Sequence, residues 1–437
     1  MHIILLSGGS GRRLWPLSND VRSKQFIRIF RKENGEYESM VERIYRQITS
    51  TLPHATVTIA TAKTQVSAIH NQLGEQVNVC VEPCRRDTFP AIALASAYLR
   101  DVQLVDENEV VVVCPVDPYV DDSYFVTLGE LASRAGRGDA NLVLMGIEPT
   151  YPSEKYGYII PETKKPVSRV SNFKEKPTAS VAQQYIDQGA LWNGGVFAYR
   201  LKYVLDKTQK LTGKQSYAEL LADYVALEKI SFDYAVVEKE PCIDVVRYGG
   251  QWKDLGTWNT LTEAMEERNI GNAMFDEVSS NVHVVNELGI PVLCMGLKNV
   301  VVSLSPDGLL VSDKENSAYM KPYVDKIDQE IRFAEKSWGT YRVLDEGAEN
   351  LTIKARLMAG HGMDYHSHDL RSEVWTVVEG KGICILDGKE MPVSAGQTVI
   401  LPVGCKHRLY AETDMTVIEV QMGQHISKDD KKKHPLI

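Results

Sequence analysis

The chain opens on an unbroken apolar run, Ile3 to Leu6, that gives way at once to Ser7, Gly8, Gly9, Ser10 and Gly11. A short continuous apolar run ended by glycines predicts a strand buried on both faces. The pattern recurs at VTIAT (57–61), VNVCVEP (77–83), VVVVCPVD (110–117) and LVLMGIEP (142–149). Between the runs, AIALASAYLRDVQ (91–103) and FVTLGELASRAGR (125–137) read as helices. Strand–helix alternation over residues 1–268 predicts an α/β fold, an open and mostly parallel sheet with helices on both sides. Ligands of such sheets bind beyond the carboxyl ends of the strands, where the opening loop, Glu82 and Asp117 fall.

Beyond residue 268 the pattern changes. Residues 269–325 hold short β-rich segments broken by Gly, Asn, Pro and Asp, the mark of a small β subdomain. Residues 326–335, KIDQEIRFAE, read as a charged helical linker. From 336 to 437 the pattern is all β, with turns expected at Glu379-Gly380, Asp387-Gly388 and Val403-Gly404. The tail SKDDKKKHPLI is expected to fray.

Charge and composition narrow the partners. The net charge is −9 and the pI about 5.7, which favours neither nucleic acid nor an anionic membrane. No apolar stretch approaches the roughly 20 residues of a membrane span. The chain enters a strand directly, without a signal-peptide pattern, so a cytoplasmic location is expected. The seven cysteines are dispersed and odd in number, which fits reduced thiols.

The glycine loop carries the first chemistry. Glycines after a strand let backbone N–H groups approach an anion, and a following helix start adds its positive end. Arg12, Arg13 and Lys24 add full charges, so a polyphosphate is the expected guest. Asp117 ends a strand facing this loop, and Asp254 in QWKDLGTW (251–258) is a second acid. Magnesium needs only one or two carboxylates besides phosphate oxygens, so these two are its candidate ligands.

The loop closely resembles the G-G-x-G-(T)-R-L-x-P-L…K signature of sugar-1-phosphate nucleotidyltransferases. The form L-W-P-L-S…K-Q-F is that of mannose-1-phosphate guanylyltransferases. Arg12 and Ser23 depart from the family's Thr and Pro. The segments EPCRRDTFPAIALA (82–95), PVDPYV, KYGYI (155–159), FKEKP (173–177), LWNGGVFAY (191–199), FDYAVVEK (232–239) and WKDLGTW follow in the family's order. The resemblance implies transfer of GMP from GTP to mannose 1-phosphate, with Mg²⁺ and release of pyrophosphate. It implies nucleotide contacts at Ser7, Gly8, Gly9, Ser10, Gly11, Glu82 and Arg86, and sugar-phosphate contacts at Gly157, Glu175, Lys176 and Asn193. Arg13, Lys24, Asp117 and Asp254 would be catalytic, the two aspartates as Mg²⁺ ligands. Other sugar 1-phosphates, such as fucose or a heptose, stay open. A sensor that binds nucleotide without turnover is the competing class, and pyrophosphate release separates the two.

A second chemical pattern lies in residues 360–407. His366 and His368, two apart on a strand, share a face. Glu373 and His407 can join them from neighbouring strands. Three imidazoles and a carboxylate suit Zn, Mn, Fe, Co or Ni. The spacing matches both halves of the cupin signature, so a β-barrel is expected here. The region also resembles the type II phosphomannose isomerase domain, through KSWGTYRVL (336–344), R-S-E-x-W (371–375), ILPVGCKHRL (400–409) and IEVQMG (418–423). That resemblance implies interconversion of mannose 6-phosphate and fructose 6-phosphate. Here His366 replaces the family's Gln, Asp369 and Leu370 replace two histidines, and Lys433 stands where a catalytic arginine is expected. Lysine lacks arginine's bidentate grip on phosphate. Isomerase activity therefore stays open beside a structural or sensing role. Cupins often pair through strand edges, so a homodimer is one expectation.

Overall fold

The computed structural model describes residues 1–9, 12–19 and 21–435. Ser10 and Gly11 of the loop lie outside the described residues. The chain divides into two compact units, Met1–Ser10 with Ser23–Glu266, and Gly11–Arg22 with Glu267–Ile437.

The first unit is built on a nine-stranded sheet. Strand His2–Leu6 pairs in parallel with Thr56–Ala62 on one side and Val110–Pro115 on the other, and Asn78–Glu82 forms the edge. Ile3 and Leu5 pack into one face's core and Ile4 into the other's, so the apolar run is buried on both faces as its sequence requires. Helices Met40–Thr51 and Ser123–Gly136 cover the first face, and Thr88–Asp101 and Leu201–Thr212 the second.

The sheet, expected to be mostly parallel, is so only over its first four strands and in the pair Leu142–Ile147 with Ile243–Tyr248. Strand Leu191–Arg200 enters reversed between Val110–Pro115 and Leu142–Ile147, and the far half is mixed. Its register slips between Asn193 and Phe197. Gly195, at φ +70°, permits this bulge, which sets Asn193 at a cleft.

The second unit has two parts. Short strands Asn269–Ile270, His283–Asn286 and Val300–Ser305 stack in parallel over a core of Val282, Val284, Cys294, Val302 and Leu304. Residues of 12–22 pack against them: Arg22 forms a bidentate pair with Glu287 at 2.9 Å, and Asn19 Nδ2 donates to Asp307 Oδ2 at 2.7 Å. The second part is a six-stranded and a five-stranded sheet enclosing Trp375, Val377, Cys384, Leu409 and Val417.

Two expectations are corrected. Residues 326–335 contain no helix, and Phe333–Lys336 is a strand paired with Gly339–Glu346. The charged tail does not fray at 431–433. Lys431–Lys433 pairs with His366–His368, and Asp430 accepts the N–H groups of Asp369 and Leu370 at 2.9 and 3.2 Å. Backbone pairing and one buried carboxylate hold it, so it needs no apolar side chains.

All seven cysteines are free. Among the described residues, no helix is long and apolar enough to cross a membrane.

Candidate functional site

Gly8 and Gly9 leave the carboxyl end of His2–Leu6 exposed, and Gly9 has φ +150°, a conformation that excludes most other residues. A buried polar chain supports them from beneath. Thr61 Oγ1 donates to Gln65 Oε1 (2.9 Å), Gln65 Nε2 to Ser23 Oγ (2.5 Å), and Ser23 Oγ to Gly9 O (3.2 Å). Gln25 Nε2 adds a bond to Ser7 O at 3.1 Å. All five of these side chains, Ser7 included, are at most 2% exposed, and the donors point in sequence toward the loop.

Lys24 follows directly. Its Nζ lies 2.8 Å from Asp117 Oδ2 and 3.9 Å from Asp254 Oδ1. The two acids meet through a minimal ladder, Pro118–Val120 paired with Trp252–Asp254, in which Asp254 sits opposite Pro118. Burial by itself would raise the pKa of Asp117, but the Lys24 ammonium outweighs it and holds the carboxyl below its ordinary range. Two adjacent carboxylates already gathered around one cation fit a divalent ion in contact with phosphate oxygens.

Asp117 and Asp254 form one end of a cleft of about 270 Å³. The other end is lined by Gly157, Glu175, Asn193 and Asp233, with Tyr156 and Trp252 as an aromatic wall. Gly157 is required by space: a Cβ there would stand 2.4 Å from Glu175 Oε2 and 2.9 Å from Phe173 Cζ. Glu175 is 7% exposed, and its Oε2 has no hydrogen-bond partner, whereas its Oε1 pairs with Lys176 Nζ at 2.6 Å. A buried bare carboxylate oxygen in a cleft is a ready acceptor for a sugar hydroxyl. Asp233 was not among the residues named from the sequence, although FDYAVVEK, which contains it, was singled out.

Glu82 and Arg86 are not among the residues that line this cleft. Glu82 ends edge strand Asn78–Glu82, two strands from the loop, and its Oε2 accepts the Tyr224 hydroxyl at 2.6 Å. Burial raises its pKa. Arg86 donates to the carbonyl of Val225. Arg13 is exposed on the turn Arg12–Leu14, in the second unit.

The second site lies within the β-rich part of the second unit. His366 and His407 are cross-strand partners, and the ligand atoms of His366, His368 and His407 lie within 4.8 Å of one another. All three histidines and Glu373 are at most 4% exposed. His366 Nδ1–H donates to Asp364 O at 2.7 Å and His407 Nδ1–H to Cys405 O at 3.0 Å, so both rings present Nε2 as a free lone pair. Burial and the nearby cations Lys431 and Arg371 lower His366 to about 3 and His368 to about 4, leaving neutral imidazoles. Glu373 contacts His368 Nε2 at 3.1 Å and His407 Nε2 at 3.5 Å. His407 Nε2 and His368 Nδ1 are buried without a hydrogen-bond partner. Neutral donors, orphaned nitrogens and an adjacent carboxylate fit a divalent transition metal. The cluster opens into a cleft of about 640 Å³ that also reaches Glu419, Lys431 and Lys433.

Residues 2–269 match the family described as Nucleotidyl transferase, and residues 325–434 match Mannose-6-phosphate isomerase C-terminal. The chain is 29% identical over 463 residues to the xanthan biosynthesis protein XanB of Xanthomonas campestris pv. campestris (strain B100), covering 98% of this chain and 96% of that one. It is 28% identical over 472 residues to the mannose-1-phosphate guanylyltransferase of Salmonella montevideo, covering 98% and 97%. A crystal structure described as mannose-1-phosphate geranyltransferase from Thermus thermophilus superposes with a TM-score of 0.62 at 27% identity, over 74% of this chain and 98% of that one. The first of these matches spans more than half of the chain, and the chain belongs to the nucleotidyl transferase family.

Proposed function

We propose that the protein transfers GMP from GTP to mannose 1-phosphate, giving GDP-mannose and pyrophosphate. The observation that carries this reading is one cleft lined by Asp117 and Asp254, which Lys24 contacts, and by Gly157, Glu175 and Asn193. Such a cleft can set a phosphosugar against a nucleotide α-phosphate. A phosphate oxygen of the sugar forms the new bond to the α-phosphorus, the α–β bridging bond breaks, and its electron pair leaves with pyrophosphate. No protein nucleophile is needed. Catalysis is positioning plus neutralisation of charge between two repelling anions.

Each residue then has a definite task. Gly8 and Gly9 offer N–H groups to phosphates, the motif adding Ser7, Ser10, Gly11 and Arg13. Lys24 stabilises charge on the α-phosphate. Asp117 and Asp254 would hold Mg²⁺, which supplies Lewis-acid neutralisation of the phosphates when bound. Glu175 and Asn193 orient the sugar hydroxyls, and Lys176 pairs with the sugar phosphate. In the second unit His366, His368, Glu373 and His407 would hold a divalent transition metal.

The test is pyrophosphate release by the purified protein with Mg²⁺, across GTP, ATP, UTP and dTTP and several sugar 1-phosphates. Turnover confined to GTP with mannose 1-phosphate is the expected result. Turnover with another pair would move the substrate, and nucleotide binding without turnover would sink the enzyme reading.

A further inference from the structure

Asp233 has no task in the reaction as described, yet it lines the phosphosugar end of the cleft. It sits on a four-residue helix, Phe232–Ala235, capped by Ser231. Its Oδ1 accepts a bond from Asn193 Nδ2 at 2.6 Å. Asn193 Oδ1 in turn accepts the N–H of Gly195 at 3.1 Å, inside the bulge of strand Leu191–Arg200. The two bonds together fix which way the Asn193 amide points, so the donor and acceptor it offers the cleft are set by Asp233.

The charges around Asp233 are unbalanced. Glu175 and Lys176 face it from the segment after Val167–Lys174. Glu238, on the turn Val237–Lys239, accepts the N–H of Glu175 at 3.2 Å and lies 3.8 Å from Lys174 Nζ. Lys176 is already engaged by Glu175. An anionic Asp233 is therefore an added negative charge beside the place assigned to a sugar phosphate.

We propose that Asp233 is a positioning residue of the phosphosugar subsite: it orients Asn193 toward the sugar hydroxyls and, by gaining or losing a proton, sets how tightly the subsite holds an anionic sugar phosphate. This rests on the reaction assigned above. Burial and the charge of Glu175 raise its pKa to about 7, so the change falls in the neutral range. Below that pH, neutral Asp233 still accepts from Asn193 and adds no charge. Above it, a like charge meets the incoming anion, and affinity for the sugar phosphate is lost as pH rises.

The experiment measures calorimetric Kd for mannose 1-phosphate and steady-state pyrophosphate release from about pH 6 to 8.5. It compares the full-length wild type with Asp233→Asn and Asp233→Ala. In the wild type, Kd and KM for the sugar phosphate are expected to rise roughly five- to tenfold across that range, while KM for the nucleotide stays level. Asp233→Asn keeps an acceptor for Asn193 and should hold the low value throughout, any slope left in it reporting the ligand's own ionisation. Asp233→Ala, which loses the acceptor and the titrating carboxyl together, should hold the sugar-phosphate KM about tenfold above the wild type's low-pH value, without the wild type's slope. A wild type with no pH slope, an Asp233→Asn slope equal to the wild type's, or nucleotide and sugar KM values that move together would each overturn the proposal. The first of these needs no variant to fold. Absence of binding by any sugar 1-phosphate would overturn both this proposal and the assigned reaction. The expected binding slope without pyrophosphate release would uphold Asp233 and overturn the reaction alone.

Discussion

Replacing Gly157 with alanine puts one methyl group where the sugar ring is assigned. The new Cβ would stand 2.4 Å from Glu175 Oε2, 2.9 Å from Phe173 Cζ and 3.3 Å from Asn193 Cβ. None of the three has free room to retreat. Phe173 and Glu175 are 8% and 7% exposed, Glu175 Oε1 is tied to Lys176 at 2.6 Å, and the Asn193 amide is tied to Asp233 at 2.6 Å. The Glu175 carboxylate must therefore swing from the cleft and give up the bond to the sugar proposed for it. A hydrogen bond to a charged group contributes ~1.5–3 kcal/mol, which is roughly 10- to 150-fold in affinity. Crowding against Phe173 costs a further ~1–3 kcal/mol of stability. Initial rates of pyrophosphate release, varying each substrate in turn, should show the sugar-phosphate KM rising by that factor and the nucleotide KM within about twofold of wild type. A thermal melt checks the fold. A folded Gly157→Ala protein with an unchanged sugar-phosphate KM, or with both KM values raised equally, would refute the placement of the sugar.

Three further outcomes follow from the geometry. Lys24→Met should lower kcat by about 10²–10³ with both KM values little changed, since an ammonium that stabilises developing charge acts mainly in the transition state. The same change removes the cation that depresses the Asp117 pKa, so the acid limb of the pH–rate profile should move to higher pH, and a limb that stays put refutes the pairing. Ser23→Ala or Gln65→Leu breaks the buried chain under Gly9; urea denaturation should show a loss of ~1–3 kcal/mol, and rates should show a raised nucleotide KM with the sugar-phosphate KM intact. His366→Ala or His407→Ala should abolish bound divalent transition metal in elemental analysis while pyrophosphate release stays at the wild-type rate, and full metal content in either variant would remove these ligands from consideration.

How much the sequence foretold depended on the range over which each feature is built. Strand His2–Leu6 and its glycine turn are local, and a run of four apolar residues suffices to place them. Asp117 and Asp254 are legible as two candidate acids, but not as neighbours, because the strands that bring them together have three residues each and carry no periodicity. Glu82 shows the opposite failing: it does end a strand, but at the sheet's edge, where Tyr224 takes its carboxylate. Position at a strand end says nothing of which neighbour the side chain meets. Asp233 escaped notice because its significance lies in partners 40 and 58 positions away, Asn193 and Glu175. The tail at 431–433 misled through composition, since three lysines pair as a strand by backbone bonds alone.

The opening stretch carries more residues than a phosphate loop needs, and the division of the chain explains the surplus. Gly8, Gly9 and Lys24 belong to the first unit, and Arg12 to Arg22 to the second. Leu14 and Leu17 are 0% and 1% exposed, and Arg22 and Asn19 are bound to Glu287 and Asp307. Trp15 lies so close to Gly308 that a Cβ there would fall 2.4 Å from its Cζ2. Ser305 Oγ donates to Pro16 O at 2.5 Å. None of these side chains is left to bind phosphate: two are leucines, one is an indole, Asn19 is held by Asp307 and the arginine is spent on Glu287. The L-W-P-L segment is therefore packing chemistry written into the middle of the stretch proposed to bind phosphate, both within 23 consecutive residues, Ile4 to Phe26.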